Sequence, residues 1–160
     1  MESPLFLFGY DRSGTTLLSM VIGAHRDIAV PFSATGLWYR YGDRLDDFNA
    51  LATPADRDRL VAALLAEERI ALWNADLAAE DIRFDRESAS YADIVAAFHA
   101  AYARKQGKPR WGNIDISTLD ELPRVNAWFP KARFVHIVRD GRDIALSHQT
   151  MPYGAGNIAE

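Results

Sequence analysis

Two runs of the chain are apolar at nearly every position, and each is followed at once by a polar loop. Leu5-Phe-Leu-Phe8 and Ala132-Arg-Phe-Val-His-Ile-Val138 are short and continuous, which predicts strands covered on both faces, the habit of a parallel sheet. His136 inside the second run reads as a core histidine. After Gly14 the residues Thr15, Thr16, Leu17, Leu18, Met20, Val21 and Ile22 predict an apolar helix that stops at Gly23. Ile28 to Val30, ended by Pro31, predicts a short second strand, and Phe32-Ser-Ala-Thr-Gly36 a loop off its end. His25, near the end of the preceding helix, reads as a local cap.

Residues 37–107 carry helical spacing. Leu37 to Phe48 mixes aromatics with charges. Thr53 with Pro54 marks a helix start, and Leu60, Val61, Leu64 and Leu65 follow on one face. The pattern continues from Ile70 to Leu77 with Trp73. The charges from Arg57 to Arg69 read as a solvated face. Ser90-Tyr-Ala-Asp93 predicts a capping box ahead of Ile94, Val95, Phe98 and Tyr102. Pro109 to Ile114 returns as a strand. Ser117 is the predicted cap of a helix that buries Leu119, Leu122, Val125 and Trp128 before Pro130. Strands alternating with helices predict an α/β fold: a three-layer αβα sandwich on a central parallel sheet, spanning residues 1–160 without a linker or internal repeat.

The polar loops after the two apolar runs carry the chemistry. Gly9-x-x-x-x-Gly14-Thr15-Thr16 sits between a strand and a helix, the layout of a phosphate cradle. It departs from the Walker A pattern at Thr15, where a Lys would reach the outer phosphates of a nucleoside triphosphate. The cation lies inside the loop, as Arg12. The second apolar run delivers Arg139-x-x-Arg142-Asp143-x-x-x-Ser147 at its carboxyl end. A strand-end Arg and a Ser one helical turn further on can converge on one phosphate.

Together these motifs resemble the sulfotransferases that use 3′-phosphoadenosine 5′-phosphosulfate (PAPS) as sulfuryl donor. Gly9-Tyr-Asp-Arg-Ser-Gly-Thr-Thr16 is similar to that family's 5′-phosphosulfate loop, with Asp11 where many relatives have Pro. Arg139 and Ser147 fall on its 3′-phosphate motif. The resemblance implies that Gly9, Arg12, Ser13, Gly14, Thr15, Thr16, Arg139 and Ser147 bind PAPS. It further implies that Arg12 neutralises charge at the leaving phosphate, and that no metal is needed. Backbone N–H groups of Ser13 and Gly14 are expected to face the anion.

The acceptor side departs from the family. Many relatives place a Glu on the loop after the second strand and a Lys after Trp-Gly; here Pro31 to Thr35 lacks a carboxylate and Trp111-Gly-Asn-Ile-Asp115 lacks a Lys. Asp115 is the candidate base, ahead of Asp11 and His25. Asp11 could also pair with Arg12 and blunt its charge. Family domains run further and supply a basic lid, so the chain is expected to be an N-terminal portion with weak donor affinity. Met151 to Glu160 is expected to be a loop entering another helix. Two other readings compete: a non-catalytic binder of nucleotide phosphates, and a P-loop kinase or NTPase.

Composition narrows the partners. A net charge of −4 speaks against a general nucleic-acid binder, so local Arg residues and amides must hold any anion. No apolar run reaches the ~20 residues of a membrane span, and no basic region precedes the first apolar run, so no signal peptide is expected. Zero Cys fits a reducing, cytoplasmic setting. The acceptor class, a small molecule or a carbohydrate bearing a hydroxyl or amine, and the oligomeric state are not encoded in any motif.

Overall fold

The computed structural model describes residues 3–115 and 118–153. Its elements run β1 (Leu5–Gly9), α1 (Thr15–Gly23), β2 (Ile28–Ala29), α2 (Leu37–Arg40), α3 (Pro54–Leu65), α4 (Glu68–Ala71), α5 (Tyr91–Lys105), β3 (Arg110–Ile114), α6 (Thr118–Trp128), β4 (Arg133–Ile137) and α7 (Gly141–Gln149), with 3-10 segments at Leu45–Leu51 and Ala79–Asp81. The strands form one parallel sheet in the order β2-β3-β1-β4. The fold is therefore α/β, with helices on both faces of a parallel sheet, as expected.

β1 is central, and its alternation divides the two cores. Leu5 and Leu7 face Val30, Ile114 and, from α1, Leu18 and Ile22. Phe6 faces the other way into a much larger cluster built by α2, α3, α5 and α6. There its ring meets Trp38 edge-on at 5.4 Å and stacks on Phe134 at 5.6 Å. Burial of each such ring stabilises by roughly 1.5–3 kcal/mol, so the Phe6 side carries most of the apolar stabilisation. Among the described residues no helix is long and apolar enough to cross a membrane.

The helix starts follow their sequence signals. Thr53 caps α3 in a capping box with Asp56, with Pro54 in the first turn, and Ser90 caps α5 in a box with Asp93. His25 acts locally: its Nδ1 accepts from the Asp27 amide at 3.1 Å. The predicted cap Ser117, and most of the predicted loop and helix after Met151, lie outside the described residues.

Several expectations are corrected. β4 is partly exposed rather than covered on both faces, lying last in the strand order among the described residues, and His136 is exposed, stacked on Phe8 at 4.8 Å. Its apolar run reads the same in sequence whether or not a further neighbour lies beside it. The Ile70–Leu77 helix ends at Ala71, because the chain turns through positive φ at Asn74 (52°) and Asp76 (46°). Leu37 to Phe48 is one helical turn followed by irregular and 3-10 structure. Leu119 is 46% exposed, whereas Val125 of the same helix is fully buried. The charges of 57–69 do not all face water. Arg57 is buried with its Nε donating to Ala89 O at 2.9 Å, and Glu67 accepts from Arg40 Nη1 at 2.5 Å and from the Tyr41 hydroxyl.

Candidate functional site

The carboxyl ends of β1 and β4 lie side by side, Gly9 opposite Ile137. That contact demands glycine: a Cβ at Gly9 would fall 2.6 Å from Ile137 O and Cγ2. The loop then turns tightly, with the Ser13 amide donating to Tyr10 O at 3.1 Å. Gly14 opens α1 at φ 95°, a conformation open to glycine and strained for other residues, and no side chain caps the helix there. The first amides of α1, at Thr15 and Thr16, have no intrahelical acceptor and sit at the positive end of the helix dipole. The Ser13 amide, expected to face an anion, is instead committed to the turn. Its Oγ is buried without a hydrogen-bond partner, a feature that suits a bound oxygen acceptor in the cradle.

Arg12 has φ 66°, which costs a non-glycine residue on the order of 1 kcal/mol. Three contacts hold it there. Its amide donates to Asp11 Oδ1 at 3.0 Å, its carbonyl accepts from Arg139 Nη1 at 2.9 Å, and its Nε donates to Ser147 Oγ at 3.0 Å. The structure thus brings Arg12 together with Arg139 and Ser147, from two segments far apart in the chain. The exposed Arg139 also lies 3.9 Å from Asp143. Arg142 pairs with Asp140 at 2.7 Å, and Asp140 caps α7. Two guanidinium groups and the open start of a helix therefore converge on one sheet edge, an arrangement suited to a ligand with more than one anionic group.

The Asp11 carboxylate meets the Arg12 backbone amide through its Oδ1. Its Oδ2 accepts from the Tyr153 hydroxyl at 3.2 Å and lies 3.7 Å from His148 Nε2. This Asp11, His148, Tyr153 grouping carries no local spacing signal, since its members are joined only by the fold. Asp115 lies at the end of β3 and is 2% exposed; its Oδ2 accepts from the Gly36 amide at 2.7 Å. Its own amide donates to Leu7 O at 3.3 Å. Asp115 thus ties the loop after β2 to the strand that leads into the cradle.

Two cavities lie elsewhere. One of about 450 Å³ is bordered by Arg83, Phe84, Trp111 and Phe129, and a second of about 300 Å³ shares Trp111 and Phe129 with it and is also lined by Ser3, Pro4 and Arg110. The latter residues precede or open β1 and β3, the edge of the sheet opposite the cradle. Among the described residues no group of acidic, His or Cys side chains is placed to hold a metal ion.

Comparison with known proteins adds one positive finding. The model of the family described as "Sulfotransferase family" matches residues 4–157, nearly the whole chain. No curated protein matches the sequence.

Proposed function

From the premise that the chain belongs to the sulfotransferase family, we propose that it transfers a sulfuryl group from PAPS to a hydroxyl acceptor. The observation that carries this reading is the meeting of the two anion motifs: Arg12 Nε on Ser147 Oγ at 3.0 Å, and Arg139 Nη1 on Arg12 O at 2.9 Å. A nucleotide with phosphates at both its 3′ and 5′ positions is the ligand that would use both. The Gly9–Thr16 loop would take the 5′-phosphosulfate, with Arg12 neutralising charge as the bond from sulfur to the 5′-phosphate breaks. Arg139 and Ser147 would take the 3′-phosphate. The acceptor oxygen forms the new bond to sulfur, and the products are the sulfated acceptor, 3′,5′-diphosphoadenosine and one proton. Positioning and charge stabilisation do the work, and no step requires a metal.

Asp115 enters this reading as a positioning carboxylate, because its buried Oδ2 is committed to the Gly36 amide. The reading extends over residues 1–160 as one sulfotransferase-like unit, with a small-molecule or carbohydrate acceptor. The test is sulfation from radiolabelled PAPS over an acceptor panel, together with calorimetric titration of 3′,5′-diphosphoadenosine. Arg12→Ala is expected to lower kcat by about 10²–10³. Near-normal turnover in that variant, or binding of ATP in preference to the diphosphoadenosine, would refute the assignment.

A further inference from the structure

We propose that Asp11 is a positioning residue: fastened by the turn that follows α7, it holds Arg12 in the backbone conformation from which the guanidinium serves the donor. This rests on the sulfotransferase reading above. Tyr10, Asp11, Arg12 and Ser13 make a turn closed by the Ser13 amide on Tyr10 O at 3.1 Å. Within it φ is positive at Arg12 (66°) and not at Asp11, the type II pattern. That turn favours Pro at its first central position and Gly or Asn at its second. The chain has Asp and Arg there, so neither residue is a natural occupant. A non-glycine residue at positive φ persists only where its surroundings hold it.

Asp11 supplies the hold, and it reaches outside the loop to do so. Oδ1 accepts from the Arg12 amide at 3.0 Å, and Oδ2 accepts from the Tyr153 hydroxyl at 3.2 Å. Tyr153 in turn is steadied from α7. The Met151 amide donates to His148 O at 2.9 Å, and the His148 and Tyr153 rings meet edge-on with centroids 6.1 Å apart. His148 Nε2 lies 3.7 Å from Asp11 Oδ2, and among the described residues this buried nitrogen has no hydrogen-bond partner. A small closure of the turn would make that approach a third bond on the same carboxylate.

Both halves of Arg12 are therefore tied to one end of α7. The backbone is tied through Asp11 and Tyr153, the guanidinium through Ser147 Oγ at 3.0 Å. Hydrogen bonds to an ionised acceptor are the stronger kind, which suits a clamp that must outweigh the strain at Arg12. The carboxylate also carries a cost, because negative charge beside a cradle for anions opposes the ligand. The loop thus uses Asp11 for its two acceptor oxygens rather than for its charge. A neutral amide of the same shape should serve as well, with Oδ1 still on the Arg12 amide and Nδ2 donating to the Tyr153 hydroxyl.

The test compares wild type, Asp11→Ala, Asp11→Asn and Tyr153→Phe, each also combined with Arg12→Ala, using radiolabelled PAPS and an acceptor from the panel above. Asp11→Ala is expected to lower kcat roughly tenfold with the acceptor KM unchanged, Tyr153→Phe to lower it about threefold, and Asp11→Asn to restore it. Combined with Arg12→Ala, loss of the carboxylate should cost nothing further, since a group that acts through Arg12 then has nothing to position. A ligand-free readout runs beside these. The Arg12 Nε–Hε resonance, assigned by its absence in Arg12→Ala, is expected to shift or vanish in Asp11→Ala and to be kept in Asp11→Asn. Tyr153→Phe, the milder change, carries the same comparison if Asp11→Ala folds poorly. Wild-type turnover with an unmoved resonance in Asp11→Ala overturns the inference, and so does an equal loss whether Arg12 is present or absent. If the wild-type chain binds no 3′,5′-diphosphoadenosine, the donor reading falls, while the resonance still decides whether Asp11 positions Arg12.

Discussion

α5 with β3, and α7 with β4, are built from the same kinds of unit and differ in almost every physical respect. α5 is sunk in the protein: Ile94, Val95, Phe98 and Ala101 are all but inaccessible, and even its His99 is fully covered. α7 buries none of its residues, and β4 ends the sheet among the described residues. The polar groups differ likewise. In the first region they are closed off within the protein, His99 Nδ1 with Val95 O at 2.9 Å and Nε2 with Asn113 Nδ2 at 2.9 Å. In the second they reach outward or across to the cradle, as Arg139 and Ser147 do. One region supplies stability, and the other supplies donors that can be turned to a ligand. Changes in the two regions are therefore expected to separate cleanly in their effects.

The largest effect belongs to the core. Trp38 is 1% exposed and meets Phe6, His99, Trp111 and Phe129 at centroid distances of 5.3–6.3 Å. Trp38→Ala is expected to cost about 3–5 kcal/mol of stability, read as a shift in the urea midpoint. Trp38→Phe should cost much less, because the indole Nε1 is buried without a hydrogen-bond partner and its removal deletes an unsatisfied donor. If Trp38→Ala instead left stability intact and altered only ligand binding, the division between the two regions would fail.

A pH titration sharpens the same division. Burial pushes the His99 imidazole down to about 4, partly opposed by its bond to the Val95 carbonyl. In the unfolded chain the group titrates near 6.5. Between those values the unfolded state binds more protons, so stability is full above pH 6.5 and falls as pH drops toward 4. The expected loss is about 3 kcal/mol at pH 4. The carboxylates act lower. Hydrogen bonds from Thr53 to Asp56, from the Ala78 amide to Asp81, from Ser88 to Asp85 and from Arg142 to Asp140 hold these groups below 3.8, so their contributions are lost only beneath that value. His99→Gln should flatten the limb between pH 6.5 and 4 and leave the more acidic limb in place. An unchanged limb would show that another group governs it.

Much of the fold was legible in the sequence, because caps and periodicity are local. The Thr53 and Ser90 starts, the central strand and the cradle glycines all follow from neighbours within a few residues. The motif spacing likewise marked Arg12, Arg139 and Ser147 as candidates, and the fold brings them together. What stayed hidden depends on distant partners. β4 reads as a covered strand because an apolar run records its hydrophobicity and not its place in the sheet. Arg57 reads as a surface charge until Ala89 O is brought to it. Asp115 reads as a candidate base from its position after Trp-Gly, and its tie to Gly36 emerges only when two loops meet. His99 gave no signal, since its pairing with Asn113 depends on α5 lying against β3.

The smallest expected effect is the most discriminating. Ser147 projects from a helix that buries nothing, and its hydroxyl accepts from Arg12 Nε at 3.0 Å. A hydrogen bond to a charged donor at a half-exposed site contributes on the order of 1 kcal/mol. Ser147→Ala is therefore expected to leave the urea midpoint almost unmoved while weakening 3′,5′-diphosphoadenosine by about fivefold. The weakening should be much smaller for adenosine 5′-monophosphate, which lacks the 3′-phosphate that the hydroxyl would meet. Calorimetric titration of both nucleotides against both proteins decides the matter. Equal losses for the two nucleotides would mean that Ser147 acts by steadying Arg12 rather than by touching the 3′-phosphate. A loss of stability comparable to that of Trp38→Ala would mean that α7 belongs to the structural region after all.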